Sequence, residues 1–331
     1  MVADDLGFDD LGVHNGNKVH TPYIDAMIRN DAVMLSSYYT YKVCSPSRAS
    51  MLTGRYPWGV GFFDMSNDGN HCVRPDTDLL PAVLNKAGYR SHFTGKWDVG
   101  RVMNHCTPTM RGYESFLGYY TACTADYWYH GAPGGSYVAD KCGGVDFTNS
   151  SGLAAEGIRG ATMHGPGSVN DTYDRIVFQE RAIDVIEAHD PSEPLYLHVA
   201  WHNVHDACTK DRTTGSLVLQ APTETVSLYG TTREDPWKVQ AAMTTELDYG
   251  VGNVTEALKR RGLWNNTVMV FVSDNGKSRW AEAPPCGGIV TAPRDLSLAS
   301  RSRRCPPQAA RLTTQTMRRA ERARPPGARA E

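Results

Sequence analysis

Three times along this chain a run with helical spacing gives way within a few residues to an extended apolar one, and this alternation limits the fold more than any other feature. In DTDLLPAVLNKAG, residues 76–88, the side chains of Leu79, Leu80, Val83, Leu84 and Ala87 recur at helical intervals up to Gly88, and YRSHFTG then reads as extended. A second helix is predicted from near Tyr173, with Ile176, Ile183 and Ile186 on one face and its end before Pro191, followed by the strand PLYLHVAW. A third carries Met243, Leu247, Val251, Val254 and Leu258 to Gly262 and leads into NTVMVFVSDNG. Such a chain is expected to be α/β, a mostly parallel sheet with helices on both faces, whose sites form in loops beyond the carboxyl ends of the strands. Residues from Gly118 to Gly167, rich in Gly, Tyr and Asp without periodicity, are expected to form long loops over that same end.

A length of 331 residues with 40% hydrophobic content supports a sizeable core in one large or two modest domains, and a formal charge of -2 argues against a surface built for nucleic acid. No apolar run is long enough for a transmembrane segment. The opening MVADDLGFDD is too acidic for a signal peptide, which by itself reads as cytosolic. Against this, 8 cysteines and N-x-S/T sequons at Asn149, Asn170, Asn253 and Asn265 point to the secretory pathway, so a signal peptide is expected upstream of this chain. From Lys277 onward the chain is dense in Arg, Ala and Pro and is expected to be disordered, either as a basic arm or, the preferred reading, as frame-shifted or intronic translation.

Two short apolar strands end in oxygen-bearing pairs: VADDLG in Asp4 and Asp5, and FVSDNG in Asp274 and Asn275. Brought to one sheet edge, three carboxylates and an amide suit a hard cation such as Ca2+ or Mg2+. Asp-Asp and Asp-Asn also form turns after strands with no ion involved. Cys44 opens CSPSRASMLTG, at the mouth of a predicted helix. It reads as a buried apolar thiol, a disulfide partner or a nucleophile. At a helix N-terminus with Arg48 one turn on, the thiol is expected to have a lowered pKa.

The pattern C-x-P-x-R in CSPSR, continued by ASMLTGRYP, resembles the signature of the type I sulfatases, in which the cysteine is oxidised to formylglycine. ADDLGFDDLGVHN, GKWDVG, VHDA, GVGNVTEALKRRGLWNNTV and VSDNG follow in the order seen in arylsulfatase B-like enzymes, so that the resemblance covers residues 1–276. It implies an alkaline-phosphatase-like α/β catalytic domain over that range, a tail at 277–331, and a chain truncated at both ends that lacks most of the first strand and the small C-terminal domain. It further implies calcium held by Asp4, Asp5, Asp274, Asn275 and residue 44, and a formylglycine-generating enzyme as a partner of Cys44. By the same resemblance the formylglycine hydrate is the nucleophile, Arg48 anchors it, Lys96 contacts the sulfate, and His205 serves the leaving group with His202 as a neighbour. Cys72 is implied to pair with Cys106.

The sequence departs from the family at two places. Asp98 stands where the family has a histidine two residues after the lysine, placing an expected anion near the sulfate. The family's second sulfate-binding lysine falls within the Arg-rich tail, and Lys277 is too near the Asp-Asn pair to take its role. The resemblance implies a sulfuric ester hydrolase acting on sulfated sugars or aryl sulfates, in a lysosome, at a cell surface or outside the cell. Two alternatives stay open: a phosphate or phosphonate monoester hydrolase of related fold, and an inactive relative or calcium-dependent binder of sulfated glycans.

Overall fold

Strands β1 (Val2–Ala3), β2 (Arg90–Lys96), β3 (Ser115–Tyr119), β4 (Phe147–Ser151), β5 (Thr162–Met163), β6 (Leu195–Ala200) and β7 (Val272–Ser273) form one sheet in the order β5-β4-β3-β2-β6-β1-β7. The centre is parallel, with β2 beside β3 and β6, and β1 beside β6 and β7. The β3–β4 and β4–β5 pairs are antiparallel. The structure is a computed structural model that describes residues 1–62, 72–100, 103–120, 127–128, 147–151, 162–163, 172–207, 218–230 and 235–277. All of these lie in one unit, Met1–Val290.

Successive residues of a strand face opposite sides of a sheet, and here each side has its own core. Val2, Phe93, Phe116 and Ala200 join one, together with Ala49 and Leu52 of helix α2 (Cys44–Thr53) and Leu79 beside helix α3 (Leu80–Lys86). Their neighbours Ala3, Leu117 and Val199 join the other. That second core is built from helix α4 (Asp174–Ala188), helix α5 (Pro236–Arg260) and Ile24 of helix α1 (Pro22–Asn30). The predicted arrangement, a mostly parallel sheet with helices on both faces, is therefore present.

Several local expectations are corrected. The buried face of α4 runs through Phe178, Ala182 and Ile186, whereas Ile176 and Ile183 are only partly buried. Helix α5 begins upstream of its predicted apolar run, because Asp235 caps it by accepting a hydrogen bond from Trp237 N at 3.0 Å and Pro236 stands at its first turn. Residues 118–167, expected as loops, supply the end of β3 and all of β4 and β5, and the remaining residues of that range, Tyr120, Tyr127 and Trp128 aside, lie outside those described. Of NTVMVFVSDNG, only Val272–Ser273 is ladder-paired.

Cys72 and Cys106 form the implied disulfide. Among the sequons, Asn253 and Asn265 are exposed and Asn149 sits in the ladder between Leu117 and Thr162. Asn170 and the tail after Lys277 lie outside the described residues. Among the described residues, no helix is long and apolar enough to cross a membrane.

Candidate active site

Strand register brings the two acidic pairs together. Val2 pairs with Val272 and Ala3 with Ser273, so Asp4 and Asp5 leave β1 at the level where Asp274 and Asn275 leave β7. Asp274 N donates to Ala3 O at 3.0 Å, Asp5 N donates to Asp274 Oδ1 at 3.1 Å, and Asn275 Nδ2 donates to Asp5 Oδ1 at 2.6 Å. Asp5 adopts φ 56°, the left-handed conformation of a turn residue. The turn-forming role and the clustering of oxygens thus coexist.

Helix α2 aims its N-terminus at this cluster. Cys44 Sγ lies 3.6 Å from Asp4 Oδ1, and the helix ends at Gly54, whose φ of 65° suits a glycine C-cap. One turn in, Arg48 donates to Asp274 Oδ2 through Nε at 3.1 Å and Nη2 at 3.0 Å, lies 3.2 Å from Asp4 Oδ1, and gives Nη1 to Lys96 O at 2.7 Å. Lys96 ends β2, and its Nζ donates to Asp4 Oδ2 at 2.6 Å. At 1% exposure Lys96 is no solvated surface lysine. Gly95 permits that placement, since a Cβ there would meet Ala200 O at 1.8 Å. Asp98 is buried and accepts a hydrogen bond from Ser45 Oγ at 2.8 Å, which ties the residue after Cys44 to the loop after β2.

The turn after β6 supplies the histidines. His205 Nε2 is 3.7 Å from Asp5 Oδ2, and Nδ1 lies 2.7 Å from Asp206 O. Donor atoms of Asp4, Asp5, Cys44 and His205 lie within 4.8 Å of one another. His202 turns away to Asp174 Oδ2, 2.7 Å from its Nδ1. Every residue singled out from the sequence as catalytic or metal-ligating therefore meets in one buried place. Tyr127 escaped that reading: its hydroxyl donates to His202 O and His205 O, at 3.0 and 2.8 Å, from a stretch with no sequence periodicity.

Burial and charge set the protonation states. Burial would raise Asp4, but Lys96, His205 and Arg48 outweigh it and hold that carboxyl below the usual carboxylate range. Burial and the Asp4 charge push Asp274 up to about 7. Burial also raises Asp5 and Asp98. Against burial, carboxylates raise Arg48, Lys96 and His205, so the arginine and lysine are cations. The expected low thiol pKa at Cys44 is corrected: burial raises it well above its ordinary value, and Asp274, Asp4 and Asp5 add to the effect. Arg48 is turned to those carboxylates and does not activate the sulfur.

The same groups fit a hard divalent cation. Asp4, Asp5 and Asp274 bring three buried carboxylates and Asn275 an amide to one place, the oxygen donors that such an ion takes. Asn275 Oδ1 is buried and accepts no hydrogen bond among the described residues, an orphan that a cation would satisfy.

Residues 1–292 match the family model described as Sulfatase. Arylsulfatase J of Mus musculus is 32% identical over 280 residues, covering 83% of this chain and 42% of that protein. N-acetylgalactosamine-6-sulfatase of Mus musculus is 27% identical over 299 residues, covering 87% of this chain and 51% of that one. The chain thus spans about half the length of the curated relatives it matches. The crystal structure of Ps i-CgsB superposes with a TM-score of 0.68 at 26% identity, over 86% of this chain and 59% of that one. The same protein, solved in complex with k-i-k-neocarrahexaose, gives a TM-score of 0.67 at 26% identity over the same 86% and 59%. With the family model spanning all of the described residues and the arylsulfatase sequence matching over most of this chain, the chain belongs to the sulfatase family.

Proposed function

We propose that residues 1–276 are the catalytic domain of a sulfuric ester hydrolase acting on sulfated sugars or aryl sulfates, with residue 44 working as formylglycine. The observation that carries this reading is the convergence of Cys44, at the start of α2, on Asp4, Arg48, Lys96 and Asp274 in one buried cluster. The thiol itself is a poor nucleophile there, because burial among carboxylates keeps it protonated. A hydrated aldehyde at the same position supplies one hydroxyl to attack sulfur and a second whose deprotonation expels the sulfate and restores the carbonyl.

Asp4, Asp5, Asp274, Asn275 and an oxygen of residue 44 would hold calcium, an all-oxygen set of the kind that ion takes. Bound there, calcium supplies Lewis-acid polarisation of the sulfate and favours the ionised nucleophile. The chain's own groups do the rest. Arg48 anchors residue 44 and balances its charge, being permanently cationic. The ammonium of Lys96 stands beside Asp4, where it pairs with a sulfate oxygen. His205, charged more readily for facing Asp4 and Asp5, gives a proton to the departing alcohol oxygen. Asp98, whose carboxyl pKa is raised by burial against the opposing pull of Lys96, Arg48 and the Ser45 hydrogen bond, adds less negative charge than an exposed carboxylate would.

Sulfated sugars are the substrate class favoured by the name of the N-acetylgalactosamine-6-sulfatase relative and by the carbohydrate bound to Ps i-CgsB. The Cys72–Cys106 disulfide supports maturation in the secretory pathway, where a formylglycine-generating enzyme would act on Cys44, followed by a lysosomal, cell-surface or extracellular destination. The test is turnover of an aryl sulfate against the matching aryl phosphate by the full chain with calcium. Faster sulfate cleavage is expected. Faster phosphate cleavage would select the phosphomonoesterase reading, and no turnover together with glycan binding that survives Cys44→Ala would select the binder.

A further inference from the structure

Tyr127 is fully buried, and each of its polar groups is committed to a different segment. Its backbone N donates to Gln220 Oε1 at 2.8 Å, and its backbone O accepts from Asp174 N, the first residue of α4, at 2.8 Å. The hydroxyl stands 3.0 Å from His202 O and 2.8 Å from His205 O, so that one proton is shared between two carbonyls. The ring stacks between His202, 4.2 Å away at 14°, and Tyr173, 4.9 Å away at 14°. Burial raises the phenol pKa well above its ordinary value, so this group is a donor at any working pH.

The turn that Tyr127 grips is the one that presents His205. His205 N donates to His202 O at 3.0 Å, and Tyr127 caps the carbonyls at both ends of that turn. His202 is itself fixed by Asp174 at 2.7 Å, so the grip is anchored in α4. The imidazole of His205 is held at Nδ1 by the backbone, 2.7 Å from Asp206 O, and its Nε2 stands 3.7 Å from Asp5 Oδ2. Its direction thus follows the backbone of the turn that carries it, and misplacement of a proton donor by about 1 Å costs on the order of a hundredfold in rate.

We infer that Tyr127 is a positioning residue for His205, its hydroxyl holding the 202–205 turn so that the imidazole faces the acidic cluster. This rests on the proposed role of His205 as the proton donor to the leaving group. Tyr127→Phe in the full chain removes only the hydroxyl. It is expected to slow sulfate esters of alkyl alcohols, which need a proton on departure, about tenfold or more, and esters of nitrophenols less than about threefold.

The second readout does not depend on turnover. In a crystal structure of Tyr127→Phe the 202–205 turn is expected to shift and carry the His205 ring away from its place beside Asp5, and the imidazole NMR signal of His205, assigned by its loss in His205→Gln, to move in chemical shift at one fixed pH. Equal slowing of both ester classes, or an unmoved turn and His205 signal, overturns the inference. Should the unaltered chain hydrolyse no sulfate ester, the sulfatase reading falls, and the position of the turn and of the His205 signal alone decides whether Tyr127 positions it. If Tyr127→Phe does not fold, Gln220→Ala, which frees Tyr127 from its other side, is expected to move the same signal, and an unmoved signal there counts against the inference.

Discussion

Arg48 and Asp274, 226 residues apart in the chain, meet through two guanidinium nitrogens on a single carboxylate oxygen, at 3.1 and 3.0 Å. The other oxygen of Asp274 accepts from Asp5 N at 3.1 Å. One carboxylate thus joins the helix that carries residue 44 to the tips of two neighbouring strands. The site and the fold share this contact.

Removing Arg48 should therefore destabilise the protein as well as stop turnover. Arg48→Met leaves the buried Asp4 and Asp274 without their shared cation, a change of the kind that costs about 3–5 kcal/mol. Arg48→Lys should restore only part of this, because an ammonium cannot reach Asp274, Asp4 and Lys96 O together. Denaturant midpoints measure both, and a loss under about 1 kcal/mol for Arg48→Met would contradict the account.

Calcium should stabilise the chain. At about 100 times its Kd a ligand that binds only the folded state adds about 2.7 kcal/mol. The melting temperature is expected to rise with calcium, fall with a chelator, and respond far less in Asn275→Ala, which lacks the orphaned Oδ1. Equal melting temperatures with and without calcium would remove the ion from the account.

His92 of β2, with its Nδ1 2.8 Å from Ser115 Oγ of β3, is held by burial and then by Arg181 and Arg90 at a pKa of about 4, down from 6.5. The unfolded chain therefore binds more protons between those values, so this contribution is present above about pH 6.5 and lost as pH falls towards 4. Since the ring is only partly buried, the loss is expected at about 1–2 kcal/mol. Urea midpoints at neutral and acid pH should show a smaller drop in His92→Gln, and an equal drop in both proteins would refute the assignment.

The Cys72–Cys106 disulfide closes a separation of 34 residues, for which about 3–4 kcal/mol is expected. Trp97 Nε1 donates to Cys106 O at 3.0 Å, so loss of the bridge also loosens the residue next to Lys96. The Cys72→Ser, Cys106→Ser double variant should unfold at lower denaturant and with altered tryptophan fluorescence. An unchanged midpoint would show the bridge to be dispensable.

Much of the site was legible because each ligand pair directly follows a short apolar strand, and parallel strands end on one edge: Asp4, Asp5, Asp274 and Asn275 needed only that rule. Cys44 and Arg48 were legible as a local motif, but the thiol's protonation was misjudged, since spacing along α2 does not reveal that Arg48 turns to Asp274. Tyr127 was invisible for a related reason. Its partners come from residues 174, 202, 205 and 220, and no local pattern encodes a hydroxyl shared across that distance.

Buried charge on α5 was equally hidden. Glu246 and Asp248 flank Leu247 of the apolar run, and Glu246 pairs with Arg175 of α4 while Asp248 accepts from Tyr23 N and Ile24 N at 3.1 and 2.7 Å, capping α1. Hydrophobic periodicity locates a helix without telling which of its polar residues face another helix end.

The central claim is that residue 44 acts as an aldehyde in this cluster. Mass spectrometry of the residue 44 peptide, from protein made in a cell that contains a formylglycine-generating enzyme, tests it most directly. The account predicts the mass of formylglycine at that position; a peptide carrying only the unmodified cysteine thiol would contradict it.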